Sequence, residues 1–318
     1  MSRTAFVTGI SGQDGGYLAE LLLAEGSAVH GLIRDADERH RLQEALPGVR
    51  LHVGDLTDQD RISGLVGEID PGEIYNLAGI SSVAQSWADP VGTGLVSGVA
   101  AVGILHAAHR HREATGRDVR VVQASSAEIF GNPSTSPQDE STPVAPITPY
   151  GAAKAYAHTM AGVFRSRGLF AATVVLYNHE SPRRPATFVT RKITQGAALI
   201  ARGEQDELRL GNLDARRDWG WAPDYVDAMV RAARHDAAGD YVVATGQAHS
   251  VREFVAAAFA RAGIDDWERY VVVDPAFVRP VDAVELVGDS GKARRELGWS
   301  PTVDFDELVG RMVDADLR

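Results

Sequence analysis

The chain has 318 residues and no cysteine. That length allows one large or two medium domains, and the missing thiol excludes disulfides, thiolate metal sites and a cysteine nucleophile. Hydrophobic residues make up 44% and charged residues 24%, a globular balance, and the net charge of −11 argues against a nucleic-acid or anionic-membrane partner.

The N-terminal segment lacks a long apolar stretch, and the sequence shows no run of about 18 apolar residues, so a cytoplasmic protein without a membrane span is expected. Residues 4–7 read as a strand, 17–25 as a helix and 28–33 as a strand. A strand at 51–53, a helix at 58–68 and a strand at 73–77 follow. A long apolar helix is expected over 91–111, then a strand at 119–123, a helix at 150–167 and a strand at 171–177. This alternation predicts an α/β fold, a Rossmann-like doubly wound parallel sheet with helices on both faces. Beyond residue 178 the pattern turns irregular, with Arg-rich and Pro-containing loops. A dinucleotide-binding domain is expected over 1–177, completed by part of 211–245, with a smaller α/β lobe over 178–318.

Gly9, Gly12 and Gly15 form a G-x-x-G-x-x-G turn between the first strand and the first helix. Such glycines let the backbone approach a pyrophosphate, which then sits on the helix N-terminus. Gly9, Gly12, Gln13, Asp14 and Gly15 are therefore cofactor-binding candidates. The spacing resembles that of short-chain dehydrogenases/reductases. Arg34, just after the second strand, suits a ribose 2′-phosphate, so NADP is expected rather than NAD, although Asp35 follows at once. Asp55 and Leu56 fall where an adenine contact belongs. Leu77 and Ala78 fall where the cofactor's ribose and phosphate belong.

Tyr150 and Lys154 make a Y-x-x-x-K pair on one helix face. The pair stands out because Lys154, Lys192 and Lys292 are the only lysines in the chain. A lysine ammonium beside an oxidised nicotinamide favours the phenolate, which makes Tyr150 a usable base at neutral pH. Ser126 and Glu128 follow the strand at 119–123, on the crevice side of the sheet. Ser126 can hydrogen-bond a reacting hydroxyl. Glu128 adds a carboxylate base able to remove a proton alpha to a ketone.

These segments resemble the GDP-mannose 4,6-dehydratases, a family of extended short-chain dehydrogenases/reductases. GISGQDGGYLAE (9–20), QASSAEIFG (123–131), PYGAAKAYA (149–157), NHESPRR (178–184) and GNLDARRDWG (211–220) carry the resemblance, which covers nearly the whole chain. It implies a hydro-lyase that oxidises C4 of a GDP-hexose through NADP, removes water across C5 and C6 and returns the hydride. Ser126, Glu128, Tyr150 and Lys154 would be catalytic. Asn178, Val189, Lys192, Arg217, Arg279 and Asp282 match the substrate-binding positions, and Ser81 lies in a segment near the sugar. The same chemistry on another GDP-sugar, or an NADP-dependent GDP-sugar reductase or epimerase, is the alternative.

The chain departs from the family at 34–39, which is short and acidic where relatives have a longer Arg- and Ser-rich loop. It departs again at 79–83 and at a trimmed loop, 265–270. The first departure predicts a homodimer rather than a tetramer, formed through the helices at 91–111 and 150–167. No metal site is expected, and His106, His109 and His111 read as a solvated or interface face without carboxylates in register. Tyr17, Trp219 and Trp221 read as packing residues.

Overall fold

The computed structural model describes residues 3–277, 283 and 285–318. In chain order the elements are β1 (Thr4–Thr8), α1 (Gln13–Ala24), β2 (Ala28–Ile33), α2 (Glu38–Ala45), β3 (Arg50–Val53), α3 (Gln59–Ile69) and β4 (Glu73–Asn76). Next come α4 (Val83–Ala88) and α5 (Pro90–Thr93), which runs through a π-helical stretch, Gly94–Val99, into α6 (Ala100–Thr115). Then follow β5 (Arg120–Ser126), a 3-10 turn (Ala127–Phe130), α7 (Pro149–Ser166), β6 (Phe170–Leu176), β7 (Asn178–Glu180) and α8 (Val189–Ala201). The chain continues with β8 (Leu208–Leu210), β9 (Arg216–Trp221), α9 (Ala222–Arg234), β10 (Asp240–Val243), β11 (Ala248–Ser250) and α10 (Val251–Arg261). It ends with β12 (Val271–Val273), β13 (Glu285–Leu286), α11 (Gly291–Leu297) and α12 (Phe305–Leu317).

Seven parallel strands make the main sheet, in the order β10-β6-β5-β4-β1-β2-β3. Strand order reverses between β1 and β4, and in such sheets the crevice for a ligand opens there, outside the carboxyl ends of the strands. The strands are apolar on both sides because helices cover both faces. On one face Phe6, Ile74 and Val121 pack with Ile62 and Leu65 of α3, Ile104 of α6 and Phe164 of α7. On the other, Val7, Val29 and Val122 pack with Leu18 and Leu22 of α1 and Met229 of α9.

A third core joins α8, β9, α10 and α12 through Ile193, Ala197, Trp219, Phe254, Val309 and Met312. Here β9 pairs with β7, β11 and β13, and β8 pairs with β12. The irregularity expected beyond 178 is therefore corrected: the segment carries α8 through α12, whose short amphipathic stretches the Pro and Arg residues obscure. Trp219 is buried in this core against Phe254 and Phe305.

Other boundaries also move. Helix α1 starts at Gln13 rather than 17, directly on the glycine turn. Strand β5 runs through Ser126, because Ser125 and Ser126 stay in register with Val175 and Leu176 of β6. By length and composition alone the continuous helix Pro90–Thr115 is long and apolar enough to cross a membrane, although Thr93, Ser97 and His106 interrupt its apolar run. Half of its most apolar window is buried against the rest of the fold.

Candidate active site

The glycine turn closes β1 onto α1. Gly9 has φ +71°, a left-handed conformation that favours glycine, and a Cβ there would lie 2.9 Å from the backbone nitrogen of Ala78. A Cβ at Gly15 would lie 2.2 Å from the carbonyl oxygen of Gly9. The turn after β1 therefore packs backbone to backbone against the segment after β4, at the point where strand order reverses. Gly12 caps α1 and has no side chain to occupy the helix's first N–H groups. This cradle fits a dinucleotide diphosphate.

Below it runs a buried polar chain across three strands. Thr8 Oγ1 donates to Asn76 Oδ1 at 2.7 Å, and Asn76 Nδ2 donates to Gln123 Oε1 at 2.7 Å. Gln123 Nε2 donates to the carbonyl of Ala124 at 3.0 Å, and Lys154 Nζ donates to that same carbonyl at 2.9 Å. Every member is thus satisfied, as buried polar groups must be. The chain fixes Lys154 relative to the strand ends. Thr8 and Gln123 look like ordinary strand residues in the sequence, and only the register across β1, β4 and β5 shows their connection.

Tyr150 stands in the first turn of α7. Thr148 caps that helix, its side chain accepting from the Gly151 N–H at 3.0 Å, and Pro149 opens it with a preset φ. Lys154 Nζ lies 5.9 Å from the centre of the Tyr150 ring. Ser126 ends β5, and its hydroxyl accepts from the Glu128 N–H at 3.3 Å, which starts the 3-10 turn that carries Glu128. Burial pushes the Tyr150 hydroxyl up to about 12, a hydrogen bond with Ser126 draws it down, and the charge of Glu128 pushes it up again. Burial brings the Lys154 ammonium down to about 8 against the pull of Asp14. Ser126, Glu128, Tyr150 and Lys154 are thus gathered in one place.

Two further residues join them. His179 Nε2 lies 2.9 Å from Asp14 Oδ2, and its ring stacks on Tyr225 at 4.7 Å. Burial favours a neutral Asp14, but the charge and hydrogen bond of His179 outweigh it and hold the carboxyl at about 2. Arg184 acts electrostatically on Tyr150, Asp14 and His179, and its guanidinium lies over the Phe188 ring at 3.8 Å. The NHESPRR segment carries part of the family resemblance, but within it only Asn178 is assigned a role from the sequence. No local signal marks His179 or Arg184, because the Asn, Glu, Ser, Pro and Arg around them are residue types common at surfaces.

The remaining candidates spread outward. Arg34 is exposed just after β2 and acts electrostatically on Asp55, whose carboxylate is lowered chiefly by its bonds from the Thr57 hydroxyl and N–H. Leu56 is buried, whereas Leu77 and Ala78 border the glycine turn. The Ala78 N–H donates to Thr8 Oγ1 at 3.2 Å. Ser81 is exposed between β4 and α4, and Asn178 opens β7. Val189 and Lys192 lie on α8 rather than at the ends of the large sheet, with Lys192 Nζ 3.6 Å from the centre of the Phe277 ring. Arg217 is buried on β9 and donates to the carbonyls of Arg216 and Ala283. Arg279 and Asp282 lie outside the described residues.

The histidines of α6 are not a solvated face without carboxylates. His109 is buried, not solvated, and Glu113 stands 3.2 Å away one turn on. His111 lies 2.9 Å from Asp70. Carboxylates are therefore in register, supplied by the next helical turn and by the end of α3. These contacts are pairwise and gather no third ligand among the described residues.

A family model described as GDP-mannose 4,6 dehydratase matches residues 6–312. "GDP-mannose 4,6 dehydratase 2" of Arabidopsis thaliana is 44% identical over 329 residues, covering 99% of this chain and 87% of that protein. The human "GDP-mannose 4,6 dehydratase" is 42% identical over 345 residues, covering 99% and 92%. Among solved structures, a Thermus thermophilus UDP-glucose 4-epimerase complexed with NAD superposes with a TM-score of 0.84 at 28% identity, covering 98% of both chains. Together with the Tyr150, Glu128 and glycine-turn geometry, these matches lead to one conclusion: the chain belongs to the GDP-mannose 4,6-dehydratase family.

Proposed function

We propose that this chain is a hydro-lyase that converts GDP-mannose to GDP-4-keto-6-deoxymannose. The observation that carries the proposal is the meeting of Glu128 with Ser126 and Tyr150, above Lys154, in a member of this family. A nicotinamide dinucleotide, when bound, supplies the oxidant and then the reductant of the same turnover. Tyr150 takes the proton of the hexose 4-hydroxyl, and the Lys154 ammonium favours the phenolate that this requires. The C4 ketone acidifies the C5 proton, which the Glu128 carboxylate removes. The C6 hydroxyl leaves as water, protonated from Glu128, with Ser126 hydrogen-bonding the reacting oxygens. The hydride equivalent lost at C4 ends on C6, and a proton matching the one Tyr150 took from the 4-hydroxyl is delivered to C5, so the net change is loss of one water. A reductase, or an epimerase that only oxidises and re-reduces C4, would not need the carboxylate of Glu128.

Gly9, Gly12, Gln13, Asp14, Gly15, Asp55, Leu56, Leu77 and Ala78 line the dinucleotide site in this reading, and Arg34 favours NADP over NAD. Residues 1–177, completed by β10, form the dinucleotide domain, and 178–318 form the nucleotide-sugar lobe. There Val189 and Lys192 meet the guanine, Asn178 and Arg217 the diphosphate, and Ser81 the hexose side. Arg279 and Asp282 keep their sequence-based assignments to diphosphate and ribose. The protein is a cytoplasmic homodimer in this reading. Support for the dimer comes from Val91, Leu95 and Val99 with Tyr156 and Val163, apolar residues of the Pro90–Thr115 helix and α7 that are 45–71% exposed. Light scattering tests it, and a tetramer or monomer would count against it.

The deciding experiment incubates the protein with GDP-mannose without added NADPH and follows the 4-keto product by mass spectrometry. Turnover under those conditions is expected. A requirement for stoichiometric NADPH would favour the reductase alternative, and mass spectrometry of the co-purified nucleotide decides between NADP and NAD.

A further inference from the structure

Asp14 poses an electrostatic problem. It lies in the first turn of α1, where the glycine turn offers its N–H groups to a diphosphate. An acid in a helix's first turn favours the helix dipole, but a bare carboxylate there also repels an incoming anion. The molecule answers with His179. Its Nδ1 lies 2.7 Å from the Tyr177 carbonyl oxygen and its Nε2 lies 2.9 Å from Asp14 Oδ2. A carbonyl and a carboxylate only accept hydrogen bonds, so each ring nitrogen must carry a proton. A ring protonated on both nitrogens is an imidazolium.

The ring cannot easily turn away. It is buried, stacked on Tyr225, and flanked by bonds that bind its strand to the glycine turn. Gln13 Nε2 donates to the His179 carbonyl at 3.1 Å, and Ser181 Oγ donates to Gln13 Oε1 at 2.8 Å. The charges acting on the ring are Asp14, which holds the proton, and Arg184, which opposes it. Lys154 also feels Asp14.

We infer that His179 is a positioning residue: held as an imidazolium between Asp14 and the Tyr177 carbonyl, it neutralises Asp14 so that the glycine turn can accept a dinucleotide diphosphate. It acts through Asp14, and its charge comes from the second lobe to a site built by the first. The inference rests on the nicotinamide-dinucleotide reading of the site and not on the identity of the sugar.

The test is equilibrium binding of NADP⁺ to the full chain, without sugar, for wild type, His179→Gln and the double variant Asp14→Asn/His179→Gln. Glutamine can still hydrogen-bond Asp14 but carries no charge. His179→Gln is expected to weaken binding by about tenfold or more, the scale of one uncompensated charge at short range in a partly buried site. The double variant, which removes the stranded carboxylate, is expected to recover most of that loss. Loss of packing alone would give no recovery, so a double variant as weak as the single one overturns the inference, as does wild-type binding by His179→Gln. If the variants do not fold, the nitrogen NMR shifts of wild-type His179 at pH 7 decide. Two protonated nitrogens support the inference and a neutral tautomer overturns it. GDP-mannose turnover by the wild type, run in parallel, reports separately on the substrate. Failure there with the binding pattern intact would remove the dehydratase reading alone.

Discussion

The two edges of the seven-stranded sheet hold polar groups in opposite ways. At the C-terminal edge, Thr8, Asn76, Gln123 and Lys154 form a buried hydrogen-bonded chain, and burial displaces the ionisation of Tyr150 and Lys154 from ordinary values. At the N-terminal edge charges are denser and, apart from the buried Glu73, largely face water. Arg117 pairs with Asp70, Arg3 with Glu73 at 3.5 Å, and Arg120 with Asp118 at 3.1 Å. A cavity of about 430 Å³ opens among these residues, away from the chemistry. Charges free to pair near water are quenched, whereas a group buried with a constrained partner keeps a shifted pKa that chemistry can use.

The contrast is broken most directly at Tyr150. Tyr150→Phe removes one hydroxyl from the buried edge and is expected to lower turnover by about 10³-fold, within the range for a positioned acid–base group. Glu128→Gln is expected to cost about 10²-fold or more by the same reasoning. Both variants should unfold near the wild-type temperature. If Tyr150→Phe retained a tenth of the wild-type kcat, the assignment of the base would be wrong.

The two edges also differ in how tightly their glycines are packed. Gly15→Ala would force a Cβ to within 2.2 Å of the Gly9 carbonyl oxygen, so the cradle must shift. A stability loss of about 1–3 kcal/mol is expected, together with a clear drop in NADP⁺ affinity. Gly116, at the opposite edge, has φ +70° but no heavy atom within 4 Å of the place a Cβ would take. Gly116→Ala should therefore cost only the left-handed backbone strain, about 1–2 kcal/mol, and leave affinity unchanged. Calorimetry and NADP⁺ titration of the two variants separate these outcomes.

Much of the working edge is legible in the sequence because its parts are local. The glycine turn and the Tyr150–Lys154 spacing each declare themselves within a few residues. His179 and Arg184 are not legible, because their meaning depends on Asp14 and Tyr150, which lie far away in the chain. The second lobe is hard to read for a related reason. Its strands are two to six residues long and pair across large sequence gaps, so β7, β9 and β13 lack a strong local period. His109 escapes a sequence reading because the helical face it occupies is covered by Phe164 of α7, a contact no single-helix pattern contains.

Asp14 makes the buried edge respond to pH. Its folded carboxyl titrates at about 2 against an ordinary 3.8. A depressed acid stabilises the fold above its ordinary value and loses that contribution as pH falls toward the folded one. His179 is shifted up from 6.5 and contributes below that value, losing its share as pH rises through the folded one. The pair therefore contributes most between about pH 4 and the ordinary imidazole range. Acid unfolding of Asp14→Asn should lack a component of on the order of 1–2 kcal/mol between about pH 4 and 2. Identical acid limbs in variant and wild type would show that the pair adds nothing to folding.

The smallest effect is expected at the opposite edge. Arg117 is largely exposed, and its partner Asp70 keeps a second contact with His111 at 2.9 Å. Removing the guanidinium leaves no buried charge stranded, so the usual penalty for breaking an ion pair is absent. Arg117→Ala should change stability by about 0–1 kcal/mol, shrinking further as salt rises, and leave kcat/KM for GDP-mannose at the wild-type value. Parallel denaturant curves at low and high salt, with turnover measured on the same samples, check both halves. A loss of turnover from this edge would mean that the charged hollow communicates with the crevice, and that the division of labour between the two ends of the strands is wrong.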